Sequence, residues 1–499
     1  MSEQAGLSPI VARRAAVGWW SWLPSWPWII GVLAMLRALG SPLALLHDPD
    51  TYLHIAAGRW MLAHGALPTA DLFSFSMAGA HWASSEWLGE VALALAYDAG
   101  AWGGVIVSTV ASFGLAAGFL CWFLSRRLEP LPAIIATLAG AVLVLPHLLA
   151  RPHVLALPAM VLWCGAALAA RDDDRGPPWS VLPVMVLWAN LHGSFLFGLA
   201  LAGFLGGEAF LGAKGWSARW TEARRWGAFA TAAVVAALVN ANGVTVLLQP
   251  FRLMAMPALQ AGFEEWRPAD FTQFPALEAW ILGAVALGFL ARAKLPWTRL
   301  VLLLGLIHMA LAHVRHADLL GLVGPLAIAA ALGPRLAELT ATAGNSPLLR
   351  GAAVLARPSA LPARLVMLAL AGVICLPTAL HRIDRSGDAV TPQAALDASR
   401  RLNLTGPVFN SEPFGGYLVF SGVPTFIDGR VELYGNAFLA DYLAAERGDA
   451  GMLTHLLDRY RIAWALVQTG TPLVGTLDRL YGWQRVYADD QAIIYRRGD

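Results

Sequence analysis

Long apolar runs constrain this chain more than any other feature. Stretches of roughly 18 to 22 residues with almost no charge recur along most of it, about the length a helix needs to cross a hydrocarbon core. They read as spans near 27–46, 104–124, 131–149, 153–171, 179–191, 194–212, 226–247, 277–294, 298–314, 317–334 and 364–381, about eleven in all. Of the 499 residues 57% are hydrophobic and only 14% charged, whereas soluble domains carry roughly 25% charged residues. The chain therefore reads as a polytopic α-helical membrane protein. That excludes a soluble enzyme, a nucleic-acid binder and a disulfide-stapled secreted module, and a net charge of +2 points to no acidic polymer as partner.

Cys121, Cys164 and Cys375 lie far apart inside apolar runs without a CxxC spacing and read as small core residues. Met1 to Trp28 has no small-residue cleavage site after a short apolar core, so the first run is expected to be retained as a span. The tryptophans at 19, 20, 22, 26 and 28 read as interface anchors beside it.

Basic residues set the expected topology. One set of loops holds Arg13, Arg14, Arg126, Arg127, Arg171, Arg175, Lys214, Arg219, Arg224, Arg225, Arg292, Lys294, Arg299, Arg335, Arg350, Arg357 and Arg364, against about seven basic residues in the alternate loops. The first set is expected to be cytoplasmic, in the inner membrane of a prokaryote, with the C-terminus outside. Polar residues then gather on the external face: Asp48, Asp50, Glu86, Arg151, His153, Asn190, His192, Glu264, Glu265, Arg315 and His316. Within 179–212 the Asn190-Leu191-His192-Gly193 interruption reads as a turn between two short helices.

Two domains are expected. Residues 1–384 form the membrane domain with a large first external loop, 47–100, and 385–499 form an external α/β domain. The latter alternates helical stretches (392–402, 437–447, 452–460) with β-rich runs (407–410, 425–428, 463–468, 492–495). In the first loop, Asp48-Pro49-Asp50-Thr51-Tyr52-Leu53-His54 leads into Ile55, Trp60, Met61 and Leu62 at helical spacing, as in an amphipathic interfacial helix. A helix cap accounts for one aspartate. It does not account for two, beside Tyr52 and His54, where a carboxylate is costly unless paired or bound to a cation.

Asp50-x-Tyr52-x-His54, then His64-Gly65, Pro68, Asp71, Phe73-Ser74-Phe75 and Trp82, resembles the first external loop of membrane glycosyltransferases of the C fold type, GT-C. The likeness is closest to the catalytic subunit of oligosaccharyltransferase, and Glu265-Trp266-Arg267-Pro268 is similar to its later Glu-containing external loop. The resemblance covers about the first 100 residues, the loop near 265 and the general layout. Two departures stand out. The second external loop, Ala150-Arg151-Pro152-His153, lacks the family's metal-holding acid, and Glu412-Pro413-Phe414-Gly415-Gly416-Tyr417 replaces its Trp-Trp-Asp acceptor motif. Protein N-glycosylation is therefore not supported, and metal dependence stays open.

The resemblance implies inverting transfer of a sugar from a polyprenyl phosphate or diphosphate to a glycan, lipid or protein acceptor at the external membrane face, among membrane lipids. Such chemistry needs a carboxylate for the acceptor and positive charge for the leaving phosphate. Asp50 is the expected catalytic carboxylate, with Asp48 as second ligand or alternate base; if Mg²⁺ or Mn²⁺ serves, Asp50 and Glu265 are its expected ligands. Arg315 with His316, then Arg151, are expected to bind phosphate, and Tyr52, His54 and His192 to line the same cavity, although His192 also reads as a packed histidine at a helix break. Gly415-Gly416 reads as a tight turn. Phe426-Ile427-Asp428-Gly429-Arg430 reads as a strand end and turn, or else Asp428, Arg430 and Tyr434 face the cavity. The competing classes are a transporter or flippase of lipid-linked glycan, and an inactive scaffold of the same fold.

Overall fold

A computed structural model describes residues 23–342 and 347–498. The expectations for Met1 to Trp22, including the leader reading, Arg13, Arg14 and three of the tryptophan anchors, lie outside the described residues. Among the described residues six helices are long and apolar enough to cross a membrane: Trp87–Leu124, Pro130–His147, Pro152–Asp172, Phe195–Gly212, Val314–Ala341 and Leu361–Leu380. Trp26–Leu39, Trp179–Leu191, Pro275–Leu290 and Trp297–Ala312 are apolar but shorter. At 1.5 Å per residue, a helix of about 14 residues reaches only about 21 Å, short of a core of roughly 30 Å. The run at 226–247 is divided between Trp216–Ala237 and the separate helix Thr245–Met254.

Close packing of these helices relies on glycine. A Cβ on Gly140 would overlap the carbonyl of Gly321, and one on Gly31 would press on Gly114, so two helix pairs approach backbone to backbone. The helix Trp87–Leu124 breaks at Gly100–Ala101, where Ala101 adopts φ 48°. Its first half belongs to the long first loop, and only its second half coincides with the expected span.

The helix Asp50–His64 is not the one-sided interfacial helix that its spacing predicts. Thr51, Tyr52, Leu53, Ile55, Ala57, Gly58 and Met61 are all buried. One side meets the backbone of Glu90 at Gly58, the other meets the C-terminal region at Gly416, and neither glycine has room for a Cβ. Only the end from Arg59 onward emerges to solvent.

The C-terminal region forms a four-stranded sheet from β1 (Val408–Asn410), β2 (Trp464–Gln468), β3 (Trp483–Ala488) and β4 (Ala492–Arg497), in the order β1-β2-β4-β3. β1 and β2 are parallel, and β4 is antiparallel to β2 and β3. Both faces of β2 are covered, which explains its unbroken apolar run. Ala465 and Val467 pack towards the helices Val431–Glu446 and Ala450–Arg459, while Trp464 and Leu466 pack towards Leu396, Phe414 and Leu418. β3, unanticipated in the sequence, is an exposed edge strand whose Gln484, Arg485 and Tyr487 leave no apolar alternation to read. Residues 425–428 are not a strand: Thr425 makes an isolated bridge to Ser74 of the first loop. Glu412–Phe420 is a helix, so Gly415 and Gly416 serve close approach to Asp428 and Pro49 rather than a turn.

A buried ion triad locks the two parts together. Arg430 Nη1 donates to Asp71 Oδ1 at 2.7 Å, and its Nη2 and Nε donate to Asp428 at 2.7 and 2.8 Å. Tyr434 and Thr425 hydroxyls add hydrogen bonds to Asp428, and the guanidinium lies over the rings of Trp82 and Phe73. Asp428, Arg430 and Tyr434 therefore form a clasp between the first loop and the C-terminal region and do not face a substrate cavity. Replacing Arg430 by Met strands two buried carboxylates and should cost about 3–5 kcal/mol, read as a fall in the melting temperature of the purified protein. An unchanged melting point would refute the clasp. Although burial opposes it, Arg430 holds the Asp428 carboxyl below the usual range. Its stabilisation is thus complete above the ordinary aspartate range and drains away as pH falls through and below it.

Candidate active site

The site begins with a division of labour between two aspartates. Asp48 Oδ1 accepts the backbone N–H of Asp50 at 2.7 Å, so Asp48 does the work of a cap and Asp50, the first residue of its helix, is left for other use. Arg151 precedes Pro152, which holds it in extended backbone (φ −123°, ψ 160°) just before the helix Pro152–Asp172. The two loops are stitched together by Thr51 Oγ1 donating to the Ala150 carbonyl at 3.1 Å and by Ala150 N–H donating to Leu45 O at 2.8 Å. That junction delivers the Arg151 side chain to the aspartates.

Its guanidinium serves three carboxylates at once. Nη2 donates to Asp50 Oδ2 at 2.8 Å, Nη1 donates to Glu265 Oε2 at 3.0 Å, and Nε is ion-paired with Asp48 Oδ2. The other oxygen of Glu265 accepts from Arg315 Nη1 at 3.1 Å, and Arg315 lies 4.6 Å from the centre of the Trp266 ring. Glu265 and Arg315 stand on adjoining short turns, Glu264–Trp266 and Val314–His316, joined by Val314 N–H donating to Arg267 O and by His313 Nδ1 hydrogen-bonded to Trp266 O. Four segments, the first and last more than 200 residues apart in the chain, thus build one chain of charge: Asp48 and Asp50, Arg151, Glu265, Arg315.

The two partially exposed acids differ in character. Burial, outweighing Arg151, lifts the Asp50 carboxyl to about 6. Against burial, Arg315 and Arg151 hold Glu265 down at about 2. Asp50 Oδ1 is buried and without a hydrogen-bond partner, and Gly429 of the C-terminal region covers it so closely that a Cβ there would overlap the carboxylate. Asp50 accordingly presents one pinned and one free oxygen.

The remaining expected residues are only partly brought in. His54, one turn beyond Asp50, faces Glu90 Oε1 at 3.3 Å; burial pulls the imidazole down, yet Glu90, with Glu86 and Asp50, holds it above its ordinary value. His192 Nδ1 accepts the N–H of Ser194, so Nε2 carries the proton and points to Glu86 Oε1 at 3.4 Å. His192 is the packed histidine of a helix break. Burial lifts Glu86 to about 7.

Tyr52 does not join the cluster. Residues 50 and 54 share a helix face and 52 lies opposite, where its hydroxyl bonds Thr391 Oγ1 at 2.8 Å and its ring packs against Trp102, Tyr417 and Phe420. His316 turns back to its own chain, Nδ1 lying 3.3 Å from Met309 O. Glu90 was missed, although a lone acid in Trp87-Leu88-Gly89-Glu90-Val91 is the kind of apolar-helix charge that signals a site. Gly429 carried no signal of its contact with Asp50.

The expected metal pair does not fit a dication. Asp50 and Glu265 do converge, but the positive charge between them is the Arg151 guanidinium, and among the described residues no three His, Cys, Asp or Glu side chains gather as ligands. The arrangement sets carboxylates beside fixed guanidinium charge.

The chain is similar to ArnT from Cupriavidus metallidurans in the apo state, with a TM-score of 0.50 and 15% identity over 93% of this chain and 97% of that one. The same protein bound to undecaprenyl phosphate gives a TM-score of 0.47 and 14% identity over the same shares of the two chains. At such identity the likeness, which rests on the apo structure, concerns the fold alone. No protein-family model matches the sequence, and no curated protein does.

Arg151→Lys cannot span three carboxylates. It should destabilise the purified protein by about 3 kcal/mol, whereas excess chelator should leave the melting temperature unmoved. A chelator-induced fall, or a lysine variant as stable as wild type, would contradict the arginine-centred site.

Proposed function

We propose that the chain transfers a sugar from a polyprenyl phosphate or diphosphate to an acceptor hydroxyl, with inversion, on the external side of an inner membrane. One observation carries this: Asp50, at the end of a helix, has one oxygen fixed by Arg151 and the other without a partner, and Arg151 links it to Glu265, which in turn holds Arg315. In the step, the acceptor hydroxyl gives its proton to Asp50 Oδ1 while its oxygen bonds to the anomeric carbon. The bond from that carbon to the phosphate oxygen breaks, and the electron pair leaves with the phosphate. Arg315, with a guanidinium engaged by Glu265 through Nη1, and Arg151 supply the field that favours the departing charge. Phosphate leaves readily, so no general acid is required.

Undecaprenyl phosphate, which the Cupriavidus metallidurans ArnT binds, is a lipid of the proposed donor class. The likeness of the first loop to that of the oligosaccharyltransferase subunit supports the role given to Asp50 and does not extend to a peptide acceptor. A transporter or flippase would be expected to place its polar groups near the bilayer midplane in broken helices; here they stand at helix ends.

In membranes supplied with labelled polyprenyl-linked sugars, Asp50→Asn should lower transfer by at least about 100-fold with expression unchanged. Retained transfer removes Asp50 from the reaction. Because the free base is the active form and Asp50 titrates at about 6, wild-type transfer should level off above that pH and fall about tenfold per unit below it. A rate that rises on acidification would contradict a carboxylate base.

A further inference from the structure

We infer that Glu412, on the C-terminal α/β region, is a further substrate-binding residue of this site, and that with Asp50 it forms the end that receives a neutral, hydroxyl-rich acceptor such as a saccharide. The inference rests on the transferase reading and adds the class of acceptor to it.

Glu412 opens the helix Glu412–Phe420, and its backbone N–H is anchored on the hydroxyl of Tyr442 at 2.7 Å. One turn on, Gly416 sits against the Pro49 carbonyl, so close that no Cβ would fit. Positions four apart share a helix face, which turns Glu412 towards the same 48–50 segment. Asp50, Arg151 and Asp48 are accordingly among the charges that act on it. No described residue bonds its carboxyl, and the buried Oδ1 of Asp50 also lacks a partner. Two carboxyl groups, one from the first loop and one from the C-terminal region, therefore bring oxygens without a protein partner towards one place.

Charge decides what can lie between them. Asp48, Asp50, Glu265 and Glu412 share the two guanidinium groups of Arg151 and Arg315, with His54 beside Asp50 but paired to Glu90, and four carboxylates cannot all ionise against so few positive charges in a shielded site. Burial, reinforced by Asp50 and Glu446, holds the Glu412 carboxyl well above the usual range. Glu412 thus offers an O–H and Asp50 offers a lone pair. Neighbouring hydroxyls of a sugar satisfy both, one giving its proton to Asp50 and the next accepting from Glu412. A phosphate or carboxylate on the acceptor would meet Asp48 and Asp50 and be repelled; the anionic leaving group belongs at the Arg315 end. The site is then polarised, with anion at one end and neutral polyol at the other, and it is complete only with the C-terminal region docked.

The test uses the full-length protein in detergent and saturation-transfer NMR with neutral methyl glycosides of glucose, galactose and mannose and the corresponding 6-phosphates as probes. Binding of undecaprenyl phosphate, followed by tryptophan quenching, serves as a separate readout. At least one neutral glycoside should give a signal that weakens roughly fivefold in Glu412→Ala, the worth of one hydrogen bond. The signal should return in Glu412→Gln, which keeps a neutral donor, and should persist in Arg315→Gln. Undecaprenyl phosphate binding should be untouched by Glu412→Ala. A glycoside signal unchanged in Glu412→Ala, a Gln variant as weak as Ala, a preference for the phosphates, or no glycoside signal in the wild type would each overturn the inference. Failure of the wild type to bind undecaprenyl phosphate would instead count against the donor reading, and the glycoside comparison would still judge Glu412.

Discussion

A single guanidinium organises this protein's polar end. Arg151 lies where three loops meet, and its three donor edges each take a different carboxylate: Asp48, Asp50 and Glu265. Such a group is costly to bury alone and nearly as costly to bury with the wrong number of partners. The surrounding backbone is built to make the number right. Pro152 keeps Arg151 out of the helix that follows, Asp48 is fixed by the N–H of Asp50, and Glu265 rides on a turn tied to the segment carrying Arg315. Without the arginine, the carboxylates would repel one another and the loops would have no common anchor.

A second arginine does the equivalent work between the first loop and the C-terminal region. Arg430 is 4% exposed and Asp428 is fully buried, so their triad with Asp71 has no solvent to fall back on. It fixes the turn that places Gly429 over Asp50, and thereby links the position of the C-terminal region to the environment of the proposed base. The burial that raises Asp50 is supplied in part by a residue more than 370 positions away. On the proposed reading, an acceptor reaches the free oxygen of Asp50 from the side of this junction, so domain docking and acceptor binding share one surface.

The apolar runs and the first-loop aspartates were legible because each obeys a local rule: spans need length, and a charge beside them needs a reason. The convergence of Asp50, Arg151, Glu265 and Arg315 followed from placing polar loop residues on one face. What sequence could not give was which partner each residue takes. Tyr52 lies two residues from Asp50, yet a helix sends it to the opposite side, into an aromatic cluster with Trp102 and Phe420. Asp50 and Glu265 read equally well as metal ligands until Arg151 is seen between them. Gly415 and Gly416 look like turn residues, because glycine serves close approach and tight turns alike and only the neighbouring backbone distinguishes them. β3 escaped notice because an exposed edge strand carries no apolar alternation.

The contrast between Asp48 and Asp50 shows how position sets chemistry for identical side chains. Asp48 is 2% exposed, and its two oxygens are spent, one on a backbone N–H and one on Arg151. With both oxygens engaged, Asp48 has none left to meet an acceptor. Asp50 shares the same arginine through one oxygen only, while burial beneath Gly429 penalises its charge, and it therefore titrates at about 6. The acid with both oxygens engaged serves structure, and on the proposed reading the one with an unpartnered oxygen serves proton transfer. By the same reasoning Glu265, doubly paired with arginines and held at about 2, cannot serve as the base. On the proposed reading its place is to keep Arg151 and Arg315 aligned, so that positive charge is already in position when the leaving phosphate develops its own.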